Sequence, residues 1–227
     1  MSWLLLYLLP TAFYAAVDVV PYTLVLLATF SLYELGYIFN DTVAVRRETQ
    51  PSLRLSEKET RYFFAHRRHI IGTRVLTAAV CLCTLYALYE PPYTLLYALA
   101  LMVVLFAIYN QWRNRYNVFL YIWLVCSRYL PFMCLSEHSL REYILLFVSY
   151  PLLIGIERFS MPSYRWPLIR RLIPTESSKA LFRAAYYCIA LLILVPYCYY
   201  TDIPLYELTP IGILALYRIV RLFIIEK

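Results

Sequence analysis

Apolar runs separated by short polar breaks organise the chain, with limits near residues 2–17, 21–40, 75–90, 93–110, 117–135, 142–157, 180–200 and 204–222. Each approaches the roughly 20 residues that a helix needs to cross a bilayer, which predicts eight transmembrane helices. The first run ends in "VDVVPY", a tight hairpin tip that holds Asp18 and Pro21. The longer breaks predict loops on one side of the membrane at about 41–74, 110–116 and 157–179. Within the first loop, "SEKE" (Ser56 to Glu59) has the spacing of a capping box. The segment it opens puts Tyr62, Phe63, His66 and Ile70 on one face with arginines beside them, the pattern of an interfacial amphipathic helix.

Composition supports this reading. The chain is 62% hydrophobic and only 15% charged, with a mean hydropathy of +0.61. An ordinary soluble domain is about 45–50% apolar and about 25% charged, so that class is excluded. The expected fold is therefore all-α: a polytopic membrane bundle forming a single transmembrane domain over residues 1–227. The opening "MSWLLLYLLP" lacks the basic flank and small-residue cleavage site of a signal peptide and is taken as the start of the first span.

The net charge of +7 is segregated. Basic residues fill the three loops above and the C-terminus. The opposite loops hold Asp18, Glu90, Glu137, Glu142 and Asp202, with Arg141 as their one cation. This asymmetry satisfies the positive-inside rule with both termini cytoplasmic. It points to membrane lipids and phosphates as partners, not nucleic acid. The six cysteines form no CxxC or Cys/His pattern and are expected to be buried free thiols. The 24 tyrosines exceed what an interfacial belt needs, so some are expected to line an interior.

Three polar constellations come after the second, fourth and sixth spans. The first is Asn40-Asp41 with Glu48. Were the helix to continue, Asp41 and Glu48 would share a face two turns apart, a reasonable oxygen set for Mg²⁺ on a diphosphate. Asn40-Asp41 could equally cap a helix end, with Glu48 paired to Arg46 or Arg47 on a wet loop. The second, "YNQWRNRYN" (Tyr109 to Asn117), offers Arg113 and Arg115 to phosphate oxygens, or simply fixes topology. The third, "GIERFSMPSYRWPLIRR" (Gly155 to Arg171), carries Glu157, Tyr164 and Arg165 as either a site wall or topology charge. Arg128 and Glu34 are charges inside apolar runs, costing roughly 2.5–3.5 kcal/mol each, and should face a cavity or a partner. Glu207 and Arg218 are placed at the interface. His66 and His69 have too few acids nearby to suggest a metal pair.

The segment "GYIFNDTVAVRRETQPSLRL" resembles the first signature of the UbiA-type intramembrane prenyltransferases, NDxxDxxxD with basic residues after it. "YNQWRNRYN" resembles the family's middle element, and Arg128-Tyr129-Leu130-Pro131 resembles the stretch just beyond that element. The resemblance covers most of the chain. It implies a helical bundle around a lateral cavity, with aspartate-held Mg²⁺ binding a polyprenyl diphosphate. A subgroup of the family transfers phosphoribose to a polyprenyl phosphate instead. Here Asn40 and Asp41 match, Ala44 replaces the next aspartate and Glu48 stands for the third. The second signature keeps only Glu157, and the family's usual ninth span is missing.

On this resemblance the chain is a transferase acting on a polyprenyl-type phosphate or diphosphate lipid, by prenyl or phospho-sugar transfer, in a bacterial inner membrane. Asp41, Glu48 and Glu157 would be the catalytic carboxylates, with Asn40, Asp41 and Glu48 binding Mg²⁺. Asn40, Arg54, Arg113, Arg115, Arg128, Tyr164 and Arg165 would hold substrate. The alternative is a catalytically inactive lipid-binding or assembly subunit of an envelope-glycan or defence pathway, which the missing aspartates favour.

Overall fold

The computed structural model describes residues 2–15, 17–47, 55–112, 116–161, 168, 171, 173 and 176–225. The described residues form helices and connections, with no strand among them. In chain order the helices are α1 (Ser2–Ala15), α2 (Val19–Thr42), α3 (Glu57–Tyr89), α4 (Thr94–Gln111), α5 (Asn117–Ser127), α6 (Leu130–Met133), α7 (Leu140–Ser149), α8 (Pro151–Phe159), α9 (Glu176–Tyr200) and α10 (Thr209–Ile225). Short 3-10 helices lie at Ala44–Arg47 and Leu205–Leu208.

All eight predicted apolar segments are therefore helical, but they are not equivalent. Among the described residues four stretches are long and apolar enough to cross a membrane: Val19–Arg46, Glu57–Tyr89, Thr94–Gln111 and Ser178–Tyr200. The others are shorter or broken for identifiable reasons. Pro131 and Pro151 each lie at the start of a helix, where a missing N–H costs nothing, but neither allows an unbroken helix through it. Hence α5 gives way to α6 across Arg128-Tyr129, and α7 to α8 at Tyr150.

The amphipathic segment predicted after Ser56 is not a separate interfacial helix. It runs straight into the third apolar run as the 33-residue α3, because nothing from Thr60 to Tyr89 is a proline and the start is strongly capped. The Ser56 hydroxyl accepts the Glu59 amide at 3.3 Å, while the Glu59 carboxylate accepts the Ser56 amide at 2.8 Å. The helix stops at Glu90, in left-handed conformation (φ 47°), before Pro91-Pro92. The same capping device, Ser139 with Glu142, opens α7.

The chain divides into two compact units. A continuous unit, Ala15–Glu137, contains α2 to α6; a composite unit joins Met1–Tyr14 to His138–Lys227. In the continuous unit α2 and α3 meet through Ala28, Ala78 and Cys81, with Leu24, Leu32 and Leu82 packed around them. Small side chains let two helix backbones approach in an apolar medium, where packing rather than water expulsion drives association. In the composite unit α9 packs on α10 and α8. Tyr14 donates to the Glu207 carbonyl at 2.9 Å, and Tyr187 to the Ser149 carbonyl at 2.7 Å.

The outer surfaces of α3 and α9 are apolar and exposed, including Val75, Leu76, Leu192 and Ile193. That is the arrangement expected of helices solvated by lipid. The six cysteines are free, but only Cys81 and Cys198 are buried; Cys83 and Cys188 are exposed on these apolar helices. The expectation of six buried thiols fails because lipid-facing positions accept a thiol as readily as a core does.

Candidate functional site

The last two turns of α2 hold the first constellation. The helix continues through Asn40 and Asp41 and ends at Thr42, whose hydroxyl donates to the Ile38 carbonyl at 2.6 Å. Val43 closes the helix with its N–H on the Phe39 carbonyl. Asn40-Asp41 is thus not a cap. The Asn40 side-chain amide donates instead to Asp41 Oδ1 at 2.8 Å, leaving the pair half-buried at the helix end.

This position is electrostatically unfavourable for an acid. The C-terminus of a helix carries partial negative charge, and a carboxylate there costs about 0.3–1 kcal/mol. No basic side chain pairs with Asp41 among the described residues. Glu57 and Glu59 of α3 and Glu142 of α7 sit in first turns where the dipole favours them. Glu90 and Glu157 also lie at helix C-termini, but Glu157 is paired with Arg183, whereas Asp41 has no basic partner among the described residues.

Behind Asn40-Asp41, α2 presents Tyr33 and Tyr37, which with Asp41 recur every four residues and so share one face. Tyr33 and Tyr37 pack edge-on against the Phe106 ring at 4.8 and 5.4 Å between centroids. Arg128 is buried beside them, its guanidinium 5.6 Å from the Tyr33 ring and 5.3 Å from that of Tyr129. The break between α5 and α6 is what turns Arg128 inward. Asn110 donates to the Gly36 carbonyl at 3.1 Å and Asn117 to the Tyr109 carbonyl at 3.3 Å, tying α4 and the start of α5 to this wall. The expectation that some tyrosines line an interior is met by Tyr33, Tyr109 and Tyr129, all buried.

Glu34 faces elsewhere on α2 and is held by Arg74 of α3, whose Nε lies 2.6 Å and Nη2 3.0 Å from its two oxygens. The acid inside this apolar run therefore has a cationic partner.

In the composite unit Glu157 is buried at the end of α8, and both its oxygens are gripped by Arg183 of α9, at 2.5 and 2.7 Å. Glu207 and Arg218, expected at the interface, are both buried. Glu207 pairs with Arg141 at 2.8 Å, and helix packing covers Arg218.

Glu48, Arg54, Arg113, Arg115, Tyr164 and Arg165 lie outside the described residues. The shared face proposed for Asp41 and Glu48 required a continuous helix. It does not form, because α2 ends at Thr42 and a 3-10 helix comes next. Among the described residues no three His, Cys, Asp or Glu side chains gather as a metal site. Asn40 and Asp41 can supply two oxygens, which suits a Mg²⁺ ion that takes its remaining ligands from phosphate and water.

Sequence reasoning missed Arg183 and the burial of Arg218. The signal was present, since both lie inside the apolar runs 180–200 and 204–222, where an arginine carries the same cost as Arg128. Comparison with protein-family models, curated proteins and solved structures finds no match.

Proposed function

We propose that the chain is an integral membrane transferase of UbiA-like design, acting on a polyprenyl-type phosphate or diphosphate lipid by prenyl or phospho-sugar transfer. The observation that carries this reading is Asp41. It is a half-buried carboxylate set against its helix dipole, free of any basic partner among the described residues, and next to an amide oxygen. The buried aromatic face of α2 behind it suits an isoprenoid tail, with Arg128 as the buried cation of that wall. Asn40 and Asp41, with Glu48, would hold Mg²⁺, which would screen the phosphate charge. Arg54, Arg113 and Arg115, in the same unit, would bind the phosphate oxygens.

The same proposal treats all eight apolar segments as membrane crossings with both termini cytoplasmic, in a bacterial inner membrane. Asn117–Met133 supports it as an apolar helical stretch of about 25 Å.

A second reading, an inactive lipid-binding or assembly subunit, is favoured by two observations. Ala44 offers no ligand, and Arg183 already occupies the Glu157 carboxylate. Thermal unfolding of the purified chain with farnesyl diphosphate, with and without Mg²⁺, separates the two. The transferase reading expects Mg²⁺-dependent stabilisation that Asp41→Ala abolishes. A response that ignores Mg²⁺ and survives Asp41→Ala supports the inactive subunit.

A further inference from the structure

Arg218 of α10 is 5% exposed and makes no hydrogen bond or ion pair among the described residues. Its guanidinium stands 5.3 Å from the Tyr217 ring, a contact that cannot neutralise a full charge. Two charged side chains lie within electrostatic reach, Arg183 and Glu157. The acid is already taken, because both its oxygens are held by Arg183. Among the described residues the buried cluster therefore carries two cations to one anion. A guanidinium taken from water without an opposing charge is among the costliest groups a fold can hold, and removing its counterion is strongly destabilising.

Arg221 lies one turn after Arg218 on α10 and adds a further cation to that end of the helix. Helices α9 and α10 pack together, joined by the short connection through the 3-10 helix Leu205–Leu208. Arg183 keeps 27% of its side chain exposed, so the cluster is not sealed from outside the bundle.

We infer that Arg218 and Arg183 form an anion-binding site in the composite unit that takes a phosphate monoester or diphosphate group. Glu157 holds the Arg183 fork in place, and Arg218 supplies the unmatched charge that the ligand neutralises. The inference is independent of Asp41 and of any metal. The group can come from a lipid headgroup or from a free phosphate compound.

Thermal unfolding of the full chain in EDTA tests it, with inorganic pyrophosphate in detergent and with phosphatidate in phosphatidylcholine nanodiscs. The native chain is expected to be stabilised in a dose-dependent way by at least one probe. Response to phosphatidate alone identifies a lipid headgroup, and response to pyrophosphate identifies a soluble phosphate. Arg218→Met is expected to remove the response while unfolding at or above the native temperature without ligand. If Arg218→Met does not fold, Arg218→Lys is measured in its place; loss of the fork should raise the half-maximal concentration about tenfold or more. Absence of any shift in the native chain, or an undiminished response in Arg218→Met or Arg218→Lys, overturns the inference. Asp41→Ala should respond as the native chain does in EDTA, which keeps this result separate from the fate of the transferase reading.

Discussion

Phe106 lies over Gly36, so close that a methyl group at residue 36 would overlap three atoms of its ring. The same turn of α2 accepts the Asn110 amide on its carbonyl. The α2–α4 seam is therefore set by the absence of a side chain. Gly36→Ala is expected to destabilise the chain by about 1–3 kcal/mol, as overpacking does. Phe106→Leu should recover part of that loss in the double variant, read as the midpoint of thermal unfolding in detergent. Additive losses would show that the two residues do not share the seam.

Asp41 links stability to function with opposite signs. Asp41→Asn removes a negative charge from a helix C-terminus and should stabilise the chain by about 0.3–1 kcal/mol. The same change should abolish Mg²⁺-dependent stabilisation by farnesyl diphosphate. Paired melts of native and variant chains, with and without metal, read both effects. A variant that is less stable than native would mean that Asp41 serves the fold.

Glu157→Gln leaves Arg183 without its counter-charge next to an already unmatched Arg218. Breaking a buried pair from one side costs about 3–5 kcal/mol, so this variant should be among the most damaging single changes in the composite unit. Replacing both Glu157 and Arg183 with uncharged residues should cost less than Glu157→Gln alone. A double-mutant cycle on unfolding midpoints measures the coupling.

His138 lies in the polar connection before α7, its Nδ1 3.7 Å from Glu142 Oε2. Burial lowers its pKa from the ordinary 6.5, an effect that the Glu142 carboxylate opposes. The folded chain thus keeps His138 neutral where the unfolded chain would protonate it. Stability attributable to this residue is full above about pH 6.5 and declines as pH falls below that value. His138→Gln should therefore reduce the loss of thermal stability between about pH 7 and pH 5. An equally steep loss in the variant would assign the pH dependence to other groups.

Among the described residues, the apolar runs of the sequence coincide with helical segments because an apolar run long enough to matter has few alternatives in lipid. Local chemistry was equally legible where it is short-range, as at the Ser56–Glu59 box, whose four residues contain the whole interaction. What the sequence hid depends on neighbours distant in the chain. Glu157 reads in sequence as either a site wall or topology charge, because its partner Arg183 lies 26 residues away. Arg218 looked interfacial because its distance from the C-terminus says nothing about which helices cover it. Asn40-Asp41 read in sequence as either a site or a helix cap, because Asx residues commonly end helices; the path of α2 through both residues to Thr42 removes the cap.

The length of α3 carries a mechanical consequence. Its 33 residues extend about 50 Å, against about 30 Å of hydrocarbon, so a membrane holding its apolar run would leave roughly 20 Å of helix clear of the bilayer core. Ser56 and Glu59 lock the outermost turn. Held so, the rod would act as a lever with the membrane as its fulcrum. A change in tilt of about 20°, within the range open to transmembrane helices, would swing its outer tip by roughly 7 Å. A distance probe placed near Arg61 would report that swing directly, converting an event among the buried contacts of α2 and α3 into a displacement measurable in water.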